Sequence, residues 1–114
     1  MTTLYGIKNC DTMREARTWL KENGVEYHYH DFRGDGLEAE RLRGWIGRLG
    51  WEALANRRGT TWRKLPEEQR SDLDDGKALA LMLRYPAMIK RPVLEYGDTV
   101  EVGFSPERYQ SLFF

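Results

Sequence analysis

Apolar residues recur along the chain with two periods, about two residues in some stretches and about 3.6 in others. The switches between them mark out its elements. Residues 2–6, Thr-Thr-Leu-Tyr-Gly, form a short β-prone run closed by Gly6. The period then lengthens, and Met13, Ala16 and Leu20 share one helical face with Trp19 beside them. Thr12-Met13-Arg14-Glu15 has the form of a capping box, with Thr12 accepting from the N–H of residue 15, and Asp11 is an equally good cap. Asn23-Gly24 stops this helix. Residues 25–32, Val-Glu-Tyr-His-Tyr-His-Asp-Phe, alternate again and are rich in strand formers, and Arg33-Gly34-Asp35-Gly36 turns the chain. A strand, a helix and a strand within about thirty residues predict a right-handed βαβ unit with parallel strands.

The middle of the chain is helical in pattern. Leu42, Trp45, Ile46 and Leu49 give an amphipathic helix over about 37–49, ended by Gly50. A short turn of helix is expected over 51–55. Residues 56–65 are polar, basic and aperiodic, which predicts a loop, and Pro66-Glu67 opens a poorly defined helical segment. Asp74 or Asp75 caps a further helix with Ala78, Leu81, Met82 and Tyr85 on one face, and Pro86 ends it. Alternation returns in Val93–Tyr96 and Thr99–Val102 around Gly97-Asp98, a β-hairpin signal. Ser105-Pro106 then opens a last helix. The order βαβ, helices, ββα predicts an α/β domain with a mixed, thioredoxin-like sheet. Its helical insertion, about 37–86, falls between the second and third strands, and 1–114 is expected to be one domain.

Composition narrows the chemistry. Eighteen basic and 18 acidic residues cancel, which argues against a broad nucleic-acid footprint. No stretch approaches the roughly 18 apolar residues of a membrane span, and the N-terminus lacks a signal-peptide pattern. The expectation is a cytoplasmic monomer. One cysteine, Cys10, forbids an internal disulfide, and with His28 and His30 it falls short of a zinc site. Cys10 sits between the first strand and the first helix, where backbone N–H groups favour an anion and a thiolate is the reactive form of cysteine. A buried structural thiol is the plain alternative. Lys8 is placed to support a thiolate and is equally at home in solvent; Thr12 is a cap first.

Tyr5-Gly6-Ile7-Lys8-Asn9-Cys10-Asp11-Thr12 before an amphipathic helix, the segment Arg57-Arg58-Gly59-Thr60-Thr61-Trp62-Arg63-Lys64-Leu65, and Ala87-Met88-Ile89-Lys90-Arg91-Pro92-Val93 together resemble the ArsC/Spx family, most closely its YffB branch. The resemblance runs nearly end to end. It implies a thioredoxin-like fold in which Cys10 attacks an oxyanion. Arg58, or its neighbour Arg57, and Arg91 would hold the oxygens, and glutathione with glutaredoxin would complete the reduction. It also implies that Pro92 is cis and faces the cysteine, so that the backbone of Arg91 meets whatever docks there. Lys8, Asn9 and Thr12 line the same turn. The family's arsenate reductases carry a third arginine in the last hairpin, where this chain reads Val102-Gly103-Phe104, and a histidine where it has Gly6. The Spx regulators carry a Cys-x-x-Cys pair whose second position is Met13 here.

These observations lead to an expected glutathione-dependent monothiol reductase. Cys10 as thiolate attacks a disulfide or an oxyanion, and with no resolving cysteine an external thiol must release the adduct. Arg58 and Arg91 orient the anion, glutathione is a co-substrate, and no cofactor or metal is held. The alternatives are an arsenate reductase and a non-enzymatic, Spx-like module that docks on a protein such as RNA polymerase.

Overall fold

The computed structural model describes residues 1–8 and 10–114. The chain divides into two compact units, one formed by Met1–Asp35 with Arg91–Phe114 and the other by Gly36–Lys90.

The first unit holds the sheet. β1 (Thr2–Gly6), α1 (Asp11–Glu22) and β2 (His28–Asp31) form the βαβ unit. β1 pairs parallel to β2, with Thr3 opposite His28 and Gly6 opposite Asp31. β3 (Val93–Tyr96) and β4 (Thr99–Val102) form the hairpin, and α7 (Pro106–Phe113) follows, giving a four-stranded sheet in the order β2-β1-β3-β4. β3 runs antiparallel to β1, so that Leu4 and Leu94 stand opposite each other. Both are fully buried with Met13, Ala16 and Leu20 of α1 and Tyr109 of α7. This is the apolar face that the 3.6-residue spacing of the first helix anticipates. Behind the sheet, Tyr5 packs on His30 with ring centroids 4.9 Å apart, and on Phe32.

Two boundaries differ from expectation. β2 is shorter than 25–32 because Val25 belongs to the helix end. Its N–H bonds the Leu20 carbonyl at 2.9 Å and the Gly24 N–H bonds Lys21 at 3.2 Å. That is a Schellman closure, which requires the positive φ of Gly24, +71°. At the other end α1 begins at Asp11, with Cys10 as its N-cap and the Arg14 N–H bonded to the Cys10 carbonyl. Neither Thr12 nor Asp11 is the cap; both lie inside the first turn.

The second unit is the insertion between β2 and β3. It comprises α2 (Ala39–Leu49), α3 (Trp51–Leu54), α4 (Thr60–Lys64), α5 (Glu67–Arg70), α6 (Asp75–Arg84) and a 3₁₀ turn (Pro86–Met88). Leu42, Trp45 and Ile46 of α2, Leu54 of α3, and Ala78 and Met82 of α6 are buried, and α2, α3 and α6 pack on one another. Asp74 caps α6 by accepting from the Lys77 N–H at 2.8 Å. The expected loop over 56–65 contains α4. Its one turn has no capping side chain, and Trp62 is held instead by stacking on Trp51, centroids 6.4 Å apart. Tertiary packing stabilises a helix too short to form alone. No helix among the described residues is long and apolar enough to cross a membrane.

Candidate functional site

The turn from β1 into α1 delivers Cys10 to the helix N-terminus in extended conformation, φ −111° and ψ 129°. An N-cap side chain is aimed at the N–H groups of the second and third helical residues, which here are Thr12 and Met13. Sulfur therefore stands where a Ser or Asp oxygen normally caps. The side chain makes no regular capping bond; an ionised sulfur is the acceptor these donors would suit. Partial burial pushes the thiol pKa up. The Met13 N–H, a hydrogen bond and the positive charge from Arg91, and the Thr12 N–H act against it and leave the pKa below the ordinary thiol value.

Arg91 reaches Cys10 from the segment before β3. The Arg91–Pro92 bond is cis, and Pro92 is buried. The Pro92 carbonyl accepts the Gly103 N–H at 2.8 Å, which ties the end of β4 to the proline. At Gly103 φ is +83°, a conformation that disfavours any side chain. The missing third arginine thus corresponds to a backbone junction, followed by Phe104 packed edge-on against Tyr109 at 4.8 Å.

Of the residues singled out from the sequence, Cys10, Arg91, Thr12 and Pro92 come together in this unit, and exposed Lys8 borders the same cleft. Arg58 is exposed and belongs to the second unit, just before α4. Asn9 lies outside the described residues.

An open cleft of about 430 Å³ leads away from Cys10 between α1 and the approach to β2. Sequence reasoning missed its walls. Arg14, Arg17 and Lys21 follow Cys10 along α1 and line it, and Tyr27 and Tyr29 form the opposite side. Arg17 donates from Nε to the Tyr27 hydroxyl at 3.1 Å, and its guanidinium carbon lies 4.6 Å from the Tyr29 ring centroid. Burial and then the charge of Asp31 push the Tyr29 pKa up; Arg17 opposes them, and a Cys10 thiolate adds to the rise. Tyr29 is therefore within electrostatic reach of the sulfur. The available signal was the basic spacing on α1, which places Arg14, Arg17 and Lys21 four, seven and eleven residues after Cys10, one stripe of a helix.

The fold has its counterpart in known proteins. A solved structure of a YffB protein is 53% identical and superposes with a TM-score of 0.94, covering 97% of each chain. An arsenate reductase (ArsC) related protein from Brucella melitensis is 51% identical with a TM-score of 0.80, over 98% of this chain and 93% of that one. An uncharacterized protein of Haemophilus influenzae is 41% identical over 113 residues, 99% of both chains. The global transcriptional regulator Spx of Enterococcus faecalis is 27% identical over 112 residues, 94% of this chain and 82% of the regulator. The ArsC family profile matches residues 5–112, and with the thioredoxin-like sheet, its helical insertion and the thiol at the first helix N-terminus, the chain belongs to the ArsC family.

Proposed function

We propose that the protein is a thiol-dependent reductase in which Cys10 is the nucleophile and glutathione the external reductant. The observation that carries this reading is the environment of the sulfur: two backbone N–H groups and the Arg91 guanidinium favour its ionised form. The chemistry follows from having one cysteine. The Cys10 thiolate attacks the glutathione sulfur of a mixed disulfide, forming Cys10–S–S–glutathione and expelling the substrate thiolate. A second glutathione thiolate then attacks that sulfur, releasing oxidised glutathione and the Cys10 thiolate. Arg91 stabilises the charged sulfur and orients the anionic partner. Arg58 keeps, as a separate proposal, the anion-holding role that the resemblance assigns it. The reaction belongs in a reducing compartment such as the cytoplasm, with glutaredoxin as a further acceptor.

The test is incubation with oxidised glutathione. Wild-type protein gains the mass of one glutathione and loses it to excess reduced glutathione, while Cys10→Ser gains none. An unmodified wild-type protein overturns the reading. Arg58→Ala and Arg91→Ala, assayed in parallel, test the two arginines individually.

Arsenate reduction is a second reading, and it is the one that the relatives' names favour, as in the Brucella melitensis protein and a possible arsenate reductase from Streptococcus mutans, 26% identical with a TM-score of 0.83. It requires glutathione-dependent arsenite formation that disappears in Cys10→Ser. The relatives named as global transcriptional regulators favour a non-enzymatic alternative, for which we propose docking on a protein such as RNA polymerase, with Cys10→Ser leaving partner binding intact.

A further inference from the structure

The cleft beside Cys10 is longer than a small oxyanion requires. From Cys10 to Lys21 α1 rises about 16 Å at 1.5 Å per residue, a length that an extended peptide covers in about five residues. Lys8, Arg14, Arg17 and Lys21 all line it, and no carboxylate does so among the described residues. Asp11 meets Arg14 from the rim at 3.3 Å, in an exposed pair. Glu26 borders the depression beyond Lys21, and Asp31 and Asp35 act on Tyr29 from the β2 side.

The placement of charge on α1 works against the helix itself. Arg14 and Arg17, and Arg17 and Lys21, are like-charged neighbours three and four residues apart, an arrangement that costs helix stability. The acidic residues Asp11, Glu15 and Glu22 lie on the other flank, bordering a separate depression with Trp19 and Phe104 that Arg14 alone of the cleft's cations also reaches. A helix built only for its own stability would interleave the two signs. Arg17 is in addition held by Tyr27 and Tyr29, which reduces the ordering cost when a ligand binds. One of its five N–H donors is spent on Tyr27, and a guanidinium suits a carboxylate.

We propose that this cleft is the docking groove for an extended acidic polypeptide segment, and that the substrate of Cys10 is a glutathione mixed disulfide on such a protein. The inference rests on the thiol-reductase reading and specifies its substrate class. The docked chain presents its cysteine–glutathione disulfide at the head of the groove. Cys10 takes the glutathionyl sulfur, the docked chain leaves as a thiolate, and free glutathione clears Cys10 as above. A nucleic acid would match the positive wall, but it carries no disulfide for Cys10, and the chain as a whole has no net charge.

The experiment uses two synthetic peptides of equal length, each with one glutathionylated cysteine, flanked by Glu and Asp in one and by Gln and Asn in the other. The full-length protein with reduced glutathione should release the acidic peptide about tenfold faster in kcat/KM at low salt, and the preference should vanish at high salt. Lys21→Glu and Arg17→Gln should each narrow it. A neutral aromatic disulfide assays the thiol without the groove. If wild-type protein fails to react with it, the reductase reading falls. If it reacts while the two peptides are released equally, the groove falls and the reductase reading stands. Binding is read separately with Cys10→Ser protein and a fluorescent, cysteine-free acidic peptide, which should bind in a salt-sensitive way. An oligonucleotide of equal charge that displaces this peptide as well as its own unlabelled form overturns the assignment to polypeptide.

Discussion

Met13 occupies the space that a side chain on Gly6 would need: a Cβ on Gly6 would stand 2.2 Å from Met13 Sδ and 2.6 Å from Cε. The two positions are those at which the chain departs from the family's histidine and from the Cys-x-x-Cys pair. In this chain the two positions are coupled by packing. A thioether fills the site over the β1 end, and only glycine leaves room for it. Met13 is buried against the core and also borders the open cleft, so a new side chain on Gly6 is admitted only by moving its thioether end.

Gly6→Ala is therefore expected to cost about 1–3 kcal/mol, the usual range for overpacking. Met13→Ala alone removes a buried side chain and is expected to cost about 2–5 kcal/mol. The double variant should be more stable than the sum of the two, by roughly 1 kcal/mol or more, as expected for residues in contact. Denaturant titration of the four proteins measures the coupling; additive losses would mean that Met13 relaxes elsewhere.

Arg91→Ala should raise the Cys10 thiol pKa, because it removes both a hydrogen bond and a positive charge from the sulfur. Glutathionylation near neutral pH should slow by roughly tenfold, the scale of a charge-assisted hydrogen bond after solvent screening of a half-exposed pair. Arg91→Lys should restore part of the rate. Thiolate absorbance and adduct formation, followed against pH, check both statements.

Stability should depend on pH with a definite sign. The folded-state pKa of Cys10 is depressed relative to the unfolded chain, so the unfolded state binds more protons across that window. The stabilisation is complete above the unfolded thiol pKa and fades as pH falls through the folded one. Wild-type protein should lose stability relative to Cys10→Ser as pH drops through this range. Chemical denaturation of both proteins at a series of pH values tests it, and parallel pH profiles would exclude a stabilised thiolate.

Tyr109 is fully buried, and its hydroxyl has no hydrogen-bond partner among the described residues. Burial drives its pKa well above the ordinary tyrosine value, so the phenol stays neutral. Tyr109→Phe keeps the ring contacts with Trp19 and Phe104 and removes a desolvated hydroxyl. It should be neutral or stabilising by up to about 1–2 kcal/mol, read as an upward shift of the thermal midpoint.

The elements with strong local signals were legible in the sequence. The apolar face of α1, the Asn23-Gly24 stop, the cap at Asp74 or Asp75, the Ser105 cap and the hairpin around Gly97 each declare themselves within a few residues. What escaped depends on partners distant in sequence. α4 is a single turn anchored by Trp62 on Trp51, and Val25 is drawn from the strand into the helix closure. Cys10 stands at the cap two residues ahead of Thr12, facing the Met13 and Thr12 N–H groups, and cysteine is outside the usual list of capping residues. Of the candidate site, Cys10 stands out from its place at the strand-to-helix turn, and Arg91 and Pro92 only through the family resemblance. The cationic wall is carried by the spacing of Arg14, Arg17 and Lys21 on α1, a signal hidden by the stronger apolar face of the same helix.

The sulfur cap has a thermodynamic consequence for what Cys10 can store. A disulfide at that position removes the ionisable sulfur, so the Met13 and Thr12 N–H groups and Arg91 lose the anion whose formation they favour. Oxidation is thereby coupled to loosening of the first turn of α1, and by closure of the cycle the native fold favours the reduced form over the adduct. On the proposed reading, the same coupling would help Cys10 pass a sulfur-bound group onward rather than keep it.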